Sequence, residues 1–104
     1  MARVALVCSD LLFGSNVEGA LRAAGHEVVR CSDAGALPDA DVLVVDVAEF
    51  DPAGLADARA ARVGFYPHVD QELRRRAVDA GFDVVVPRSR MARETAAVVE
   101  RALA

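Results

Sequence analysis

The sequence contains no lysine, no tryptophan and no isoleucine. All 12 basic residues are therefore arginine, which excludes chemistry that needs an amine, such as Schiff-base formation or a phosphate-binding lysine. No apolar run approaches the ~20 residues of a membrane span, and the first residues lack the charged start, long apolar core and cleavage site of a signal peptide. A cytoplasmic location and no membrane partner are expected. Cysteine and histidine are scarce, with two of each at Cys8, Cys31, His26 and His68, and their wide spacing carries no zinc motif.

Acid outweighs base overall, with a formal charge of −4. Residues 1–60 hold 4 arginines against 10 acids and residues 61–104 hold 8 against 6, so the halves carry −6 and +2. That balance argues against general nucleic-acid binding, which needs positive charge along the phosphate backbone, and leaves room for a local basic patch. At 104 residues the chain is expected to be one domain that buries roughly two thirds of its unfolded surface. Met1 and a helical pattern running to the C-terminus lead us to expect a stand-alone protein.

Hydrophobic patterning alternates between two kinds of segment. Residues 3–8 (RVALVC), 27–31 (EVVRC), 41–47 (DVLVVDV), 62–66 (RVGFY) and 83–86 (DVVV) are short apolar runs with the look of buried strands. Between them, residues 12–24 place Phe13, Val17, Ala20, Leu21 and Ala24 on one helical face, and Gly25 supplies a stop. Residues 32–40 are too short and broken for more than a helical turn. A modest helix is expected over 53–60 after Pro52, another over 69–80 ended by Gly81, and a last one over 90–103 with Ser89 as its N-cap. Met91, Thr95, Val98, Val99 and Ala102 fall on one side of that last helix. Strands alternating with helices imply an α/β three-layer sandwich with a parallel five-stranded sheet, whose sites form where strand carboxyl ends meet the following loops. Asp10, Asp46, Tyr66 and His68 lie at or just after such ends.

In these features the chain resembles the response-regulator receiver domain, the flavodoxin-like (CheY-like) fold of two-component signalling, over its full length. Asp46 ends the third strand, and Gly54 follows eight residues later. ALRAAGHEVV (20–29) and ELRRRAVDAGFDVVVP (72–87) are similar to the receiver's first-helix ending and its fourth-helix-to-fifth-strand segment. The resemblance implies sheet order 2-1-3-4-5, no enzymatic activity, and Asp46 as the phospho-acceptor position. It implies a magnesium site, of which Asp10 and Asp46 would be the only carboxylates left, since Cys8 and Ser9 stand at the usual acidic pair. Tyr66 falls at or one residue from the switch hydroxyl, Val86 takes the place of the lysine beside Pro87, a proline often cis in the family, and the second helix is reduced. Arg88 is within reach of the site in principle, although a planar guanidinium does not replace a compact ammonium.

Phosphoryl transfer to a carboxylate depends on positioning and on neutralising charge at the transferring oxygens. A chain without those groups is expected to be a degenerate receiver, a protein-interaction module independent of phosphorylation, with no cofactor. Its contact surface is expected on the receiver's fourth helix, fifth strand and fifth helix, where Arg74, Arg75, Arg76, Arg88, Arg90 and Arg93 gather, facing an acidic partner or a second copy. Two alternatives stand beside it: a genuine phospho-acceptor switch at Asp46 with magnesium helped by Asp10, and a small-ligand binder using Asp46, Tyr66 and His68. Cys8 and Cys31, ending neighbouring strands, are read as small buried hydrophobes, with a redox pair as the alternative.

Overall fold

The computed structural model describes residues 1–33, 35, 37–55, 58–67 and 69–104. Its centre is a five-stranded parallel sheet of order β2-β1-β3-β4-β5, formed by β1 (Arg3–Val7), β2 (Glu27–Cys31), β3 (Val42–Asp46), β4 (Ala61–Tyr66) and β5 (Val84–Pro87). Among the described residues four α-helices accompany it: α1 (Leu11–Ala23), α2 (Gln71–Asp79), α3 (Arg88–Arg93) and α4 (Thr95–Leu103). The strands read as continuous apolar runs because both faces of the sheet are covered. On one face Val4, Leu6, Val44, Phe65 and Val86 pack beneath Val17 and Leu21 of α1, Met91 of α3, and Val98 and Val99 of α4. On the other, Val7, Leu43, Val45, Val47 and Tyr66 pack against Leu55, Ala77 of α2 and Phe82. Fully buried side chains such as Leu6 and Phe65 each contribute about 1.5–3 kcal/mol by leaving water.

Helices α1 and α2 stop where glycine permits a left-handed residue. Gly25 has φ +92° and Gly81 φ +88°, and the next backbone N–H reaches back five residues, His26 to Leu21 O at 3.0 Å and Phe82 to Ala77 O at 3.2 Å. This closure turns the chain straight into β2 and β5. The ring of His26 is buried, and its Nδ1 accepts the Ala2 N–H at 3.0 Å, tying the start of β1 to the start of β2.

Four local expectations differ from the structure. The helix expected over 53–60 is a 3₁₀ turn at Pro52–Leu55; Gly54 weakens helix propagation there, and Asp51 Oδ1 captures the Ala53 N–H at 3.0 Å in a local turn. Residues 56 and 57 lie outside the described set. The helix expected over 90–103 is two helices, broken at Glu94 with φ −123° and ψ 38°. Beside the break the buried Thr95 hydroxyl donates to Met91 O at 2.7 Å and contacts Ala92 O at 3.2 Å, a side-chain bond that competes with regular helix geometry. The first of these helices starts at Arg88 directly after Pro87 with no side-chain cap, so Ser89 lies in its first turn and does not cap it. On α1 only Gly14, Val17 and Leu21 are buried, with Phe13 partly so; Ala20 and Ala24 face outward. No helix is found among the described residues of 32–40, in keeping with a reduced second helix, and no helix of the described residues is long and apolar enough to cross a membrane.

Candidate functional site at the carboxyl edge of the sheet

Strand register sets one row of side chains at the carboxyl edge. Val7 pairs with Val45, Asp46 with Phe65, and Phe65 with Val86. Cys8, one residue past Val7, therefore stands level with Asp46, and the row reads Cys8, Asp46, Phe65, Val86 across four strands. Of the two placements open to the switch hydroxyl, the register puts Phe65 beside Asp46. Tyr66 alternates to the opposite face and packs in the layer of Val47 and Ala77. Pro87 pairs with Tyr66, and the bond preceding it is trans. His68 lies outside the described residues.

Asp46 is only 6% exposed. One carboxylate oxygen accepts the Ala48 N–H at 3.1 Å, and its carbonyl accepts the N–H groups of Glu49 at 3.1 Å and Phe50 at 2.9 Å, folding the chain into a tight turn directly after β3. Burial pushes its carboxyl above the usual range, opposed by the Ala48 N–H and by Arg88. Asp10 behaves in the opposite way. It caps α1 by accepting the Phe13 N–H at 3.0 Å, and that N–H, seconded by Arg88, holds its carboxyl below the usual range.

Arg88 joins the two carboxylates. One guanidinium nitrogen is hydrogen-bonded to Asp10 Oδ2, and the other lies 3.6 Å from Asp46 Oδ2. The group also stacks over the Phe13 ring, 4.2 Å from its centroid, a contact worth roughly 0.5–1 kcal/mol at a half-open site. Arg88, which the sequence places among the contact arginines and also within reach of the site, is turned into the site, where the α3 start aims it across the β5, β4 and β3 ends. One internal cation thus offsets part of the charge of the two carboxylates.

Two participants were missed by spacing. Phe13 supplies the surface on which Arg88 rests. Glu49 returns from the turn after Asp46 to accept the Ser9 N–H at 3.1 Å, so its carboxylate, the Cys8 thiol and the Asp46 carboxylate lie within 4.8 Å of one another. The Glu49 position, three residues past Asp46 in a turn, was the one available signal.

Magnesium does not fit these residues. It takes oxygen ligands in near-octahedral geometry, whereas Asp10 is committed to the α1 cap and to Arg88, and a thiol that burial pushes up is no ligand for a hard cation. The guanidinium adds positive charge where a dication would sit.

The remaining arginines divide between the two faces of the β5 edge. On α2, Arg74 is exposed, Arg75 lies 3.6 Å from Glu72 and Arg76 3.2 Å from Asp51. On α3, Arg90 at 3.5 Å and Arg93 at 3.4 Å share the single carboxylate of Glu94. Cys8 and Cys31 are both free. Because Val7 is the residue paired with Cys31, the two thiols belong to opposite layers of the core, which does not suit a disulfide.

The strand order and layers are those of a flavodoxin-like α/β fold. No family model matches the sequence, and no curated protein matches it. Among solved structures, the chain is similar to a CheY-like receiver domain protein of Methanospirillum hungatei (TM-score 0.84, 15% identity, 99% of this chain and 94% of that one). It is similar too to a response regulator of Thermotoga maritima (TM-score 0.81, 17% identity, 97% and 96%), and to a LuxR family DNA-binding response regulator of Silicibacter pomeroyi (TM-score 0.80, 23% identity, 99% and 92%). At such identities the likeness is one of fold: the chain has the receiver fold.

Proposed function

We propose that the chain is a degenerate receiver that works in bacterial signalling as a protein-interaction module, without phosphoryl transfer and without enzymatic activity. The observation that carries this reading is Arg88 lying between Asp10 and Asp46. A receiver site leaves its carboxylates open to metal and phosphoryl oxygens; here an internal cation engages them, while Phe65 and Val86 fill the levels from which a hydroxyl and an ammonium would act. The partner surface in this reading is the β5 edge with α2 on one side and α3 and α4 on the other. Its arginines, Arg74, Arg75 and Arg76 with Arg90 and Arg93, would meet an acidic protein or a second copy.

Two measurements test it. Incubation with acetyl phosphate and magnesium should leave the intact mass unchanged; gain of one phosphoryl group, lost in Asp46→Asn, would favour the phospho-acceptor switch. Charge reversal at Arg75 and Arg90 to Glu should abolish dimer formation or partner capture, and unchanged association would remove this surface from the account. The small-ligand reading loses support, since Tyr66 faces the opposite core layer from Asp46.

A further inference from the structure

β5 closes one edge of the sheet and β2 the other, with β1 as the strand beside it. The Glu27 N–H donates to Ala2 O at 2.9 Å and the Cys8 N–H to Cys31 O at 3.1 Å, so Glu27, Val29 and Cys31 turn their backbone groups towards β1. By alternation Val28 and Arg30 turn theirs outward, and such a row is a template for another strand. One side chain stands over it. Arg22, in the last turn of α1, donates to the outward Val28 O at 3.1 Å and is held by Glu18 at 2.8 Å. Its side chain is 56% exposed, so that ion pair is weak and the guard is readily displaced. Three observations favour a second copy as what displaces it. Arg30 is drawn back off the edge: it lies 3.4 Å from Glu18 and crosses α1 at Gly14, where a Cβ would collide with its guanidinium. Charge is nearly balanced along the edge, with Arg3 3.3 Å from Glu27 and Arg22 and Arg30 sharing Glu18, so like charge does not hold two copies apart. Val29 and Cys31, in register with Ala5 and Val7, are only half-buried, on the face where no helix is found among the described residues of 32–40.

We propose that β2 is a self-association edge, through which two copies pair antiparallel about a two-fold axis at Val29, in an isologous contact. Val28 of each copy then stands opposite Arg30 of the other, and the two residues exchange hydrogen bonds from N–H to carbonyl in both directions. Arg22 withdraws from Val28 O to admit them, so guard and second copy exclude each other. Val29 meets its counterpart on the half-covered face, and the sheet runs on from one copy into the next. The contact lies at the opposite edge of the sheet from the arginine surface proposed above and does not depend on it.

The test is analytical ultracentrifugation of the full chain across a concentration series. A reversible dimer is expected, and Arg22→Ala should tighten it by about tenfold, because a guard bond of ordinary net strength is released in each copy. Arg30→Pro removes the outward N–H and spares the ladder to β1, so it should leave the circular dichroism spectrum unchanged and the chain monomeric. Arg30→Ala keeps that N–H and should still dimerise. Should the proline variant not fold, Val29→Cys combined with Cys31→Ser gives the same answer. A non-hydrogen-bonded antiparallel pair holds its Cα atoms about 4.5 Å apart, within disulfide reach, so mild oxidation should yield a covalent dimer. Arg22→Ala that is monomeric at every concentration or associates no more tightly than wild type, or absence of the Val29→Cys cross-link, would overturn the proposal. So would a dimer that survives Arg30→Pro, and its loss on charge reversal at Arg75 and Arg90 would assign the contact to the arginine surface instead.

Discussion

Arg62 offers a stability test with a magnitude that can be worked through. Among the described residues its side chain leaves β4 to donate to three backbone carbonyls, Leu55 O at 2.9 Å, Ala80 O at 3.1 Å and Gly81 O at 3.0 Å. It also lies 5.5 Å from the Phe82 ring centroid. One guanidinium thus joins the 3₁₀ turn to the end of α2 and the turn into β5. A hydrogen bond from a charged group contributes about 1.5–3 kcal/mol net, but three bonds sharing one half-exposed donor, with carbonyls that regain water on truncation, do not add fully; about 2–4 kcal/mol is expected for Arg62→Ala. For a chain of this size that loss lowers Tm by roughly 10–25 °C. Urea unfolding should show a lower midpoint at unchanged slope, since the surface exposed on unfolding is nearly the same. Arg62→Lys should recover less than half, because a single ammonium cannot serve three carbonyls from a planar fork. A loss below about 1 kcal/mol for Arg62→Ala would refute this reasoning and make the three contacts incidental.

Other expectations concern Asp46 and the core. Burial raises the folded-state pKa of Asp46 above the ordinary carboxylate range, so the native chain holds that proton more tightly than the unfolded chain, and Asp46 costs stability as pH rises through the folded value. Asp46→Asn should therefore raise Tm at neutral pH by an amount that shrinks towards pH 4, read by melting across that range; a gain independent of pH would assign the effect to something other than ionisation. A methyl group at Gly64 would come within 3.0 Å of Val47 Cγ1 and 3.1 Å of Phe82 Cδ2, so Gly64→Ala should cost about 1–3 kcal/mol by overpacking, measured by denaturant unfolding. Gly25→Ala forces a Cβ onto φ +92° and should cost about 1–2 kcal/mol with the fold retained, judged by circular dichroism.

The sheet was legible because buried parallel strands leave an unambiguous mark: five apolar runs at regular intervals, each followed by a loop or a glycine-stopped helix. Asp46 stood out for the same reason, as a carboxylate closing a run of apolar residues. The helices were legible only where an apolar face ran unbroken. Thr95 falls on the buried side of the last helix and fits its periodicity, so nothing in the spacing discloses that its hydroxyl takes carbonyls on the preceding turn and marks a break. The site itself was half visible. The resemblance assigned Cys8, Asp46 and Val86 to the site, but the direction of Arg88 depends on where α3 begins relative to Pro87, and that is a tertiary fact. Glu49 was hidden because its role comes from a turn that closes on β1, 40 residues away in sequence.

The central claim, that Arg88 engages the carboxylates a receiver keeps open, is tested most directly by an NMR titration with beryllofluoride and magnesium on wild type and Asp46→Asn. The account expects no saturable shift around Asp46 in either protein at millimolar magnesium. Saturable shifts in the wild type that vanish in Asp46→Asn would contradict it and establish Asp46 as a working phospho-acceptor.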